Sequence, residues 1–215
     1  MKTLKKFWPV ILFYGALWGI IEATLGFALQ LPIFPHIASG LVMFPIAMTL
    51  LAAAYRRTQS AQSLLFIGLV AASIRAVNLF SPVLLTPWRT VNPMIAIVVE
   101  SLLVLVVITV VIKRPWPQKV AAIMVASIGW RLTFMGVQGI NLAVFDFVHV
   151  NLTSWRLFAE FTLLQGFLSG LVAVAFVGGY LAWVDASHRD HRMSWLKPHL
   201  AGALYVLALA LTYIL

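Results

Sequence analysis

The sequence predicts an all-α fold, a polytopic integral membrane bundle of six to seven transmembrane helices. Of the 215 residues, 62% are hydrophobic and only 10% are charged, whereas soluble domains carry about 25% charged residues. Seven apolar stretches approach the roughly 20 residues that a helix needs to cross a bilayer. The chain has no cysteine, which excludes disulfides, thiolate catalysis and cysteine metal sites. This length suits a single transmembrane domain over residues 1–215.

The first predicted helix, residues 8–30, follows a basic N-terminus. Its apolar run is too long for a signal peptide and no small-residue cleavage site follows it, so we expect an uncleaved helix. The later helices are delimited by short polar, basic or proline-bearing segments, and no internal repeat is recognisable. The remaining predicted spans are residues 36–55, 62–80, 93–112, 120–144, 155–184 and 198–215.

Basic residues are divided unequally between the two sets of connecting segments. If the N-terminus is cytoplasmic, the cytoplasmic segments hold eleven Lys and Arg residues and the outer segments hold two, Arg89 and Arg156. Such a bias follows the positive-inside rule. The sequence therefore predicts a multi-pass protein of the cell membrane with a cytoplasmic N-terminus. The net charge of +9 then reflects topology, and we expect no nucleic-acid partner.

Charged and amide side chains also occur within the predicted spans. A charge near the bilayer centre is costly, so such a residue is by default a functional-site hypothesis. Most of these residues fall in the outer halves of their spans, and spacings of three or seven place several on common helix faces. We therefore expect an outward-facing polar cavity. Its candidate substrate-binding residues are Glu22, Arg75, Asn78, Glu100, Arg131, Gln138 and Glu160.

The buried charges are expected to pair, because a low dielectric strongly favours opposite charges in contact. Arg75 has Glu22 or Glu100 as candidate partners, and Arg131 has Glu100 or Glu160. The sequence does not choose among these pairs. Ion pairs of this kind can also fix helix register without any ligand, so an architectural role is the alternative.

Glycines form two further patterns. Gly15, Gly19, Glu22 and Gly26 share one face of the first helix, and Gly166-x-x-x-Gly170 lies in the sixth. Small residues at this spacing permit close helix approach. Packing within the bundle is the simpler interpretation, and docking onto a partner membrane subunit is the alternative.

Motifs of known enzymes are absent from the sequence. It contains no HExxH, no GxSxG and no phosphate-binding glycine loop. His36, Asp146 and His149 fall near the outer rim, but no helical pair of histidines supports a metal site. We therefore expect no catalytic residue, no metal and no cofactor.

The first half of the chain resembles the substrate-binding S components of energy-coupling-factor transporters. The resemblance covers spans one to six and is carried by GALWGIIEATLG, SGLVMFPIAMTLLAAAYRRT and the arginine-bearing third span. It implies six helices, cytoplasmic termini and an outward ligand pocket. It also implies a small-residue stripe that docks onto a transmembrane coupling subunit served by two cytoplasmic ATPases. Gly15-x-x-x-Gly19-x-x-x-Ala23 is the nearest match to that stripe, and the seventh span departs from the six-helix pattern.

Uptake of a small polar solute is the leading functional prediction. We expect Arg75 and Arg131 to contact anionic or acceptor groups of that solute, with the lipid bilayer as the other partner. One alternative is a membrane-embedded enzyme acting at the outer face through Glu and His side chains. A non-catalytic accessory or scaffold subunit is the other.

Overall fold

The computed structural model describes residues 2–29, 31, 33, 37–80, 87–111, 114–187 and 197–214. Throughout these ranges every regular element is a helix, which confirms the all-α membrane bundle. The α-helices are α1 Lys2–Ile21, α2 Ala38–Thr58, α3 Ala61–Ala76, α4 Pro87–Val111, α5 Trp116–Phe145, α6 Trp155–Ala159, α7 Gln165–Ser187 and α8 Pro198–Ile214.

Six helical segments of the described chain are long and apolar enough to cross a membrane. The last helix, α8, has 17 residues and rises about 25 Å, at the lower limit for a transmembrane helix. It packs against α1 and α3 through a small cluster around Ala16, Ile74 and Ala208. The six spanning segments are Lys6–Gly26, Ala38–Thr58, Ala61–Phe80, Thr90–Thr109, Trp116–Phe145 and Trp155–Ala186.

Two of the spanning segments contain a π-helical turn. Glu22–Gly26 continues α1, and Glu160–Leu164 joins α6 to α7. Each turn begins at a glutamate that the sequence predicts to be a substrate-binding residue, Glu22 in the first turn and Glu160 in the second. A π-helical turn inserts an extra residue into the helix and is frequent at functional sites.

The glycine face of α1 packs inside the bundle. A Cβ atom at Gly15 would lie 2.6 Å from Val70 Cβ, and one at Gly19 would lie 2.5 Å from Ile74 Cδ1. Only glycine permits α1 and α3 to approach this closely. At these two positions the small-residue stripe is therefore covered by α3 and is not an outer surface.

Gly166 and Gly170 of α7 have the same role against α5. A Cβ atom at Gly166 would lie 3.2 Å from Ile128 Cα, and one at Gly170 would lie 2.7 Å from Met124 Sδ. These contacts bring α7 against α5 beside the buried Arg131.

Arg56, Arg57 and Lys119 mark one end of the bundle, which we call the basic end. Here Arg56 joins α2 to α7 by an ion pair of 3.3 Å with Asp185. The side chains of this pair are 28% and 70% exposed, so it contributes at most about 1 kcal/mol to stability.

Candidate functional site

A cavity of about 400 Å³ lies between α1, α2, α4, α5 and the α6–α7 segment, at the end opposite the basic end. Its wall combines two carboxylates, several amides and one imidazole with an aromatic surface. The aromatic side chains are those of Trp130, Phe134 and Phe161. The polar side chains are those of Glu22, Ser39, Asn92, Glu100, His149, Asn151 and Gln165.

Glu22 and Glu100 both line this cavity and repel one another electrostatically. Glu22 begins the π-helical turn of α1, and its Oε1 accepts a hydrogen bond of 3.3 Å from Trp18 Nε1. Glu100, on α4, is only 4% exposed. Its Oε2 has no hydrogen-bond partner among the residues that the structure describes.

Arg131 lies one layer behind the cavity wall. Its guanidinium donates from Nη2 to Gly40 O at 2.7 Å and from Nη1 to Ser127 O at 3.0 Å. Its Cζ lies 4.5 Å from the ring centre of Trp130 and 5.5 Å from that of Phe161. Arg131 is completely buried, while Gly40, Trp130 and Phe161 separate it from the cavity.

Neither intramembrane arginine forms a close ion pair with a described carboxylate, since none lies within 4 Å. The electrostatic interactions act over longer distances and join Glu22 with Arg75 and Glu100 with Arg131. These combinations are two of the four that the sequence left open. Glu160 lies on the second π-helical turn, half-buried, and does not line the cavity.

Gln138 also lies behind the wall. Its Nε2 donates to Asn92 Oδ1 at 3.0 Å, and its Oε1 accepts from Asn141 Nδ2 at 3.2 Å. The chain of amides thus links α5 to α4 and presents Asn92 to the cavity. Interhelical bonding of this kind is the usual role of amides in membrane helices.

Arg75 and Asn78 lie apart from the cavity lining. Arg75 is 7% exposed near the end of α3, and Asn78 is in the 3-10 turn that follows. Arg75 Nε and Asn78 Oδ1 have no hydrogen-bond partner in the described part of the chain. Of the seven candidate residues, only Glu22 and Glu100 therefore line the cavity.

Sequence reasoning missed the aromatic wall. The ring centres of Trp130, Phe134 and Phe161 lie 6.0 to 6.3 Å apart. The signal available in the sequence was Trp130, a deep tryptophan directly before an intramembrane arginine. Trp18, the other deep tryptophan, donates to Glu22. Both depart from the interfacial position typical of membrane tryptophans.

His149 lies in the loop between α5 and α6 and faces the cavity. Its Nδ1 accepts a hydrogen bond of 3.2 Å from Asn151 N, and its ring lies edge-on to Phe134. Asp146 is exposed, and His36 lies outside the described residues. Within those residues no three potential ligands gather to hold a metal ion.

Burial lowers the pKa of His149 below its usual value of 6.5. In the unfolded chain this imidazole takes up a proton as the pH falls through 6.5, while in the folded protein it resists protonation. The unfolded state then binds more protons, so stability falls as the pH is lowered. We expect the melting temperature in detergent to fall between about pH 7.5 and pH 5.5.

The variant His149→Asn keeps an acceptor for Asn151 N but does not titrate. We expect it to show a smaller fall over the same pH range. His199 is exposed on α8, so His199→Asn is the matched control and should behave like the wild type. Identical pH profiles for wild type and His149→Asn would contradict the coupling of His149 to folding.

A second cavity, of about 320 Å³, opens at the basic end between α2, α4, α5 and α7. Its wall is apolar apart from Arg56, Gln59 and Lys119. On each of these four helices, fully buried side chains lie between the residues that line the first cavity and those that line the second. They are Phe44, Ala47, Val104, Ala126 and Ala173. The two cavities share no lining residue.

Comparisons with models of protein families, with curated proteins and with solved structures gave no match.

Proposed function

We propose that this membrane protein binds a small polar solute in the cavity beside Glu22 and Glu100 and takes part in its uptake. The observation that carries the proposal is a set of unpaired polar atoms. Glu100 Oε2 and Trp130 Nε1 belong to residues of the wall and are buried without a hydrogen-bond partner in the described residues. Buried polar atoms are almost always hydrogen-bonded, and a bound solute supplies the missing partners at the wall.

The proposed orientation puts the basic end in the cytoplasm of a cell-membrane protein, with the N-terminus on the same side. Support comes from the basic side chains at this end, because loops rich in Lys and Arg stay cytoplasmic. The cavity beside Glu22 and Glu100 would then open to the outside.

Energy for uptake would come from partner subunits under this proposal. Residues 1–215 contain no phosphate-binding glycine loop, so the chain shows no means of nucleotide hydrolysis. A membrane coupling subunit with cytoplasmic ATPases is the arrangement implied by the resemblance to S components. Gly15 and Gly19 face α3, so such a partner would have to contact another surface of the bundle.

Cysteine labelling tests the outward cavity, and the native chain has no cysteine to interfere. We expect Ser39→Cys, in the cavity wall, to react with a small membrane-impermeant thiol reagent added to intact cells. Gln118 is exposed at the start of α5, at the basic end. Gln118→Cys should react only after the membrane is opened. The reverse pattern would contradict the proposed orientation.

A further inference from the structure

We propose that the solute is a small organic cation with a flat ring. Its positive charge would lie between the carboxylates of Glu22 and Glu100, and its ring would pack against Trp130, Phe134 and Phe161. This inference rests on the proposed function of the cavity and names the chemical class of its solute.

The charged side chains of the cavity wall favour a cationic solute. Among the described residues that line the cavity, the carboxylates are Glu22 and Glu100, and no Lys or Arg side chain is present. A carboxylate removed from water needs a positive partner or a donor, because burying an unpaired charge is costly. Arg75 and Arg131 act on these carboxylates from outside the lining, so the charged groups that a solute contacts directly are Glu22 and Glu100.

Of the two carboxylates, Glu100 gives the more specific evidence for a cationic solute. Its side chain is 96% buried by the bundle, with 4% exposed, and Oε2 has no partner among the described residues. Glu22 adds a second negative charge that repels Glu100. One positive group between them would relieve the repulsion and give Glu100 Oε2 a partner.

The position of Arg131 argues against an anionic solute. An anion would have to draw the guanidinium away from the carbonyl of Gly40, to which Nη2 donates at 2.7 Å. It would also have to approach two carboxylates. Each step costs electrostatic energy, whereas a cation reaches Glu22 and Glu100 directly.

Aromatic rings supply the rest of the site. Trp130, Phe134 and Phe161 form one apolar surface with ring centres about 6 Å apart. Such surfaces stack on flat rings. A cavity of about 400 Å³ is of the size that takes a single small molecule. Together these features fit a one-ring cation.

Three molecules with the same pyridine ring isolate the effect of charge. These are 1-methylnicotinamide, a cation, nicotinamide, which is neutral, and nicotinate, an anion. We expect calorimetry on the purified full chain to show that the cation binds about tenfold or more tightly than nicotinamide. Nicotinate should bind most weakly. Equal affinities, tightest binding of nicotinate, or no binding of the cation would overturn the proposal.

Variants locate the effect at the carboxylates. Glu100→Gln keeps the side-chain shape, removes the charge and should abolish the preference for the cation over nicotinamide. Glu160 is half-buried outside the cavity lining, so Glu160→Gln is the matched control and should retain the preference. If Glu100→Gln does not fold, Glu22→Gln serves as the second variant. Retention of the full preference in folded variants of both carboxylates would contradict the assignment.

Labelling of Ser39→Cys separates this proposal from the proposed function. If the cysteine reacts from outside and the cation is not preferred, the outward-facing cavity is supported and the proposal of a cationic solute is wrong. If the cysteine does not react from outside, the outward cavity itself is wrong.

Discussion

Replacement of Arg131 by methionine should lower the free energy of unfolding by about 3–5 kcal/mol, the cost of breaking a buried charge interaction. Methionine keeps much of the side-chain length. It leaves Gly40 O and Ser127 O without the donors at 2.7 and 3.0 Å. It also removes the positive charge that acts on Glu100. Thermal unfolding in detergent measures the loss.

A second substitution identifies the source of that loss. Glu100→Gln in the Arg131→Met background should recover part of the stability, because no uncompensated carboxylate then remains. Glu160→Gln should recover none. Arg56→Met is the matched single control, since the exposed ion pair with Asp185 is worth about 1 kcal/mol or less. Equal losses for Arg56→Met and Arg131→Met would contradict the structural role of Arg131.

Replacement of Arg75 by methionine should cost about 3 kcal/mol, the lower end of the range for a buried charge. Arg75 is buried and is the cation that acts on Glu22. We expect the smaller loss because Glu22 is only half-buried and keeps its hydrogen bond of 3.3 Å from Trp18. Unfolding in the same detergent allows direct comparison with Arg131→Met.

The same double substitutions identify which carboxylate interacts with Arg75 and which interacts with Arg131. Glu22→Gln should recover part of the loss in Arg75→Met and none in Arg131→Met. Glu100→Gln should show the opposite preference. Recovery by both substitutions in both backgrounds would mean that the four charges form one network and not two pairs.

Much of the fold was predictable from sequence because a bilayer tolerates few structures. Apolar runs of about 20 residues must form helices, whose backbone groups bond within the segment. The predicted second span, 36–55, corresponds to α2, Ala38–Thr58. The seventh was correctly placed as a helix, although α8 is too short to count among the six spanning segments.

The arrangement of the candidate site was only partly predictable. Position along a span correctly placed Glu22 and Glu100 at one end of the bundle, because depth follows from residue number. Whether a side chain reaches the cavity depends on helix rotation. Two π-helical turns, at Glu22–Gly26 and Glu160–Leu164, change that rotation without a sequence signal. On α5, which has no such turn, the rotation of the helix turns Arg131 toward Gly40 and Ser127, so it is not among the residues that line the cavity.

The hydrogen-bond partners of Arg131 could not be predicted from the sequence either. The guanidinium of Arg131 donates mainly to the backbone carbonyls of Gly40 and Ser127. Because every residue has a backbone carbonyl, the sequence does not indicate which of them an arginine reaches. Gly40 itself matters because a Cβ atom there would lie 3.2 Å from Arg131 Nη2. A single glycine in the second span gives no indication of such a contact.

Native mass spectrometry of the gently solubilised protein is the most direct test of solute binding in the cavity. We predict that wild type and Glu160→Gln carry the same small molecule and that folded Glu100→Gln has lost it. A protein that retains this molecule after Glu100→Gln, or that carries none in any form, would contradict solute binding at Glu100. The buried charges would then serve the architecture of the bundle alone.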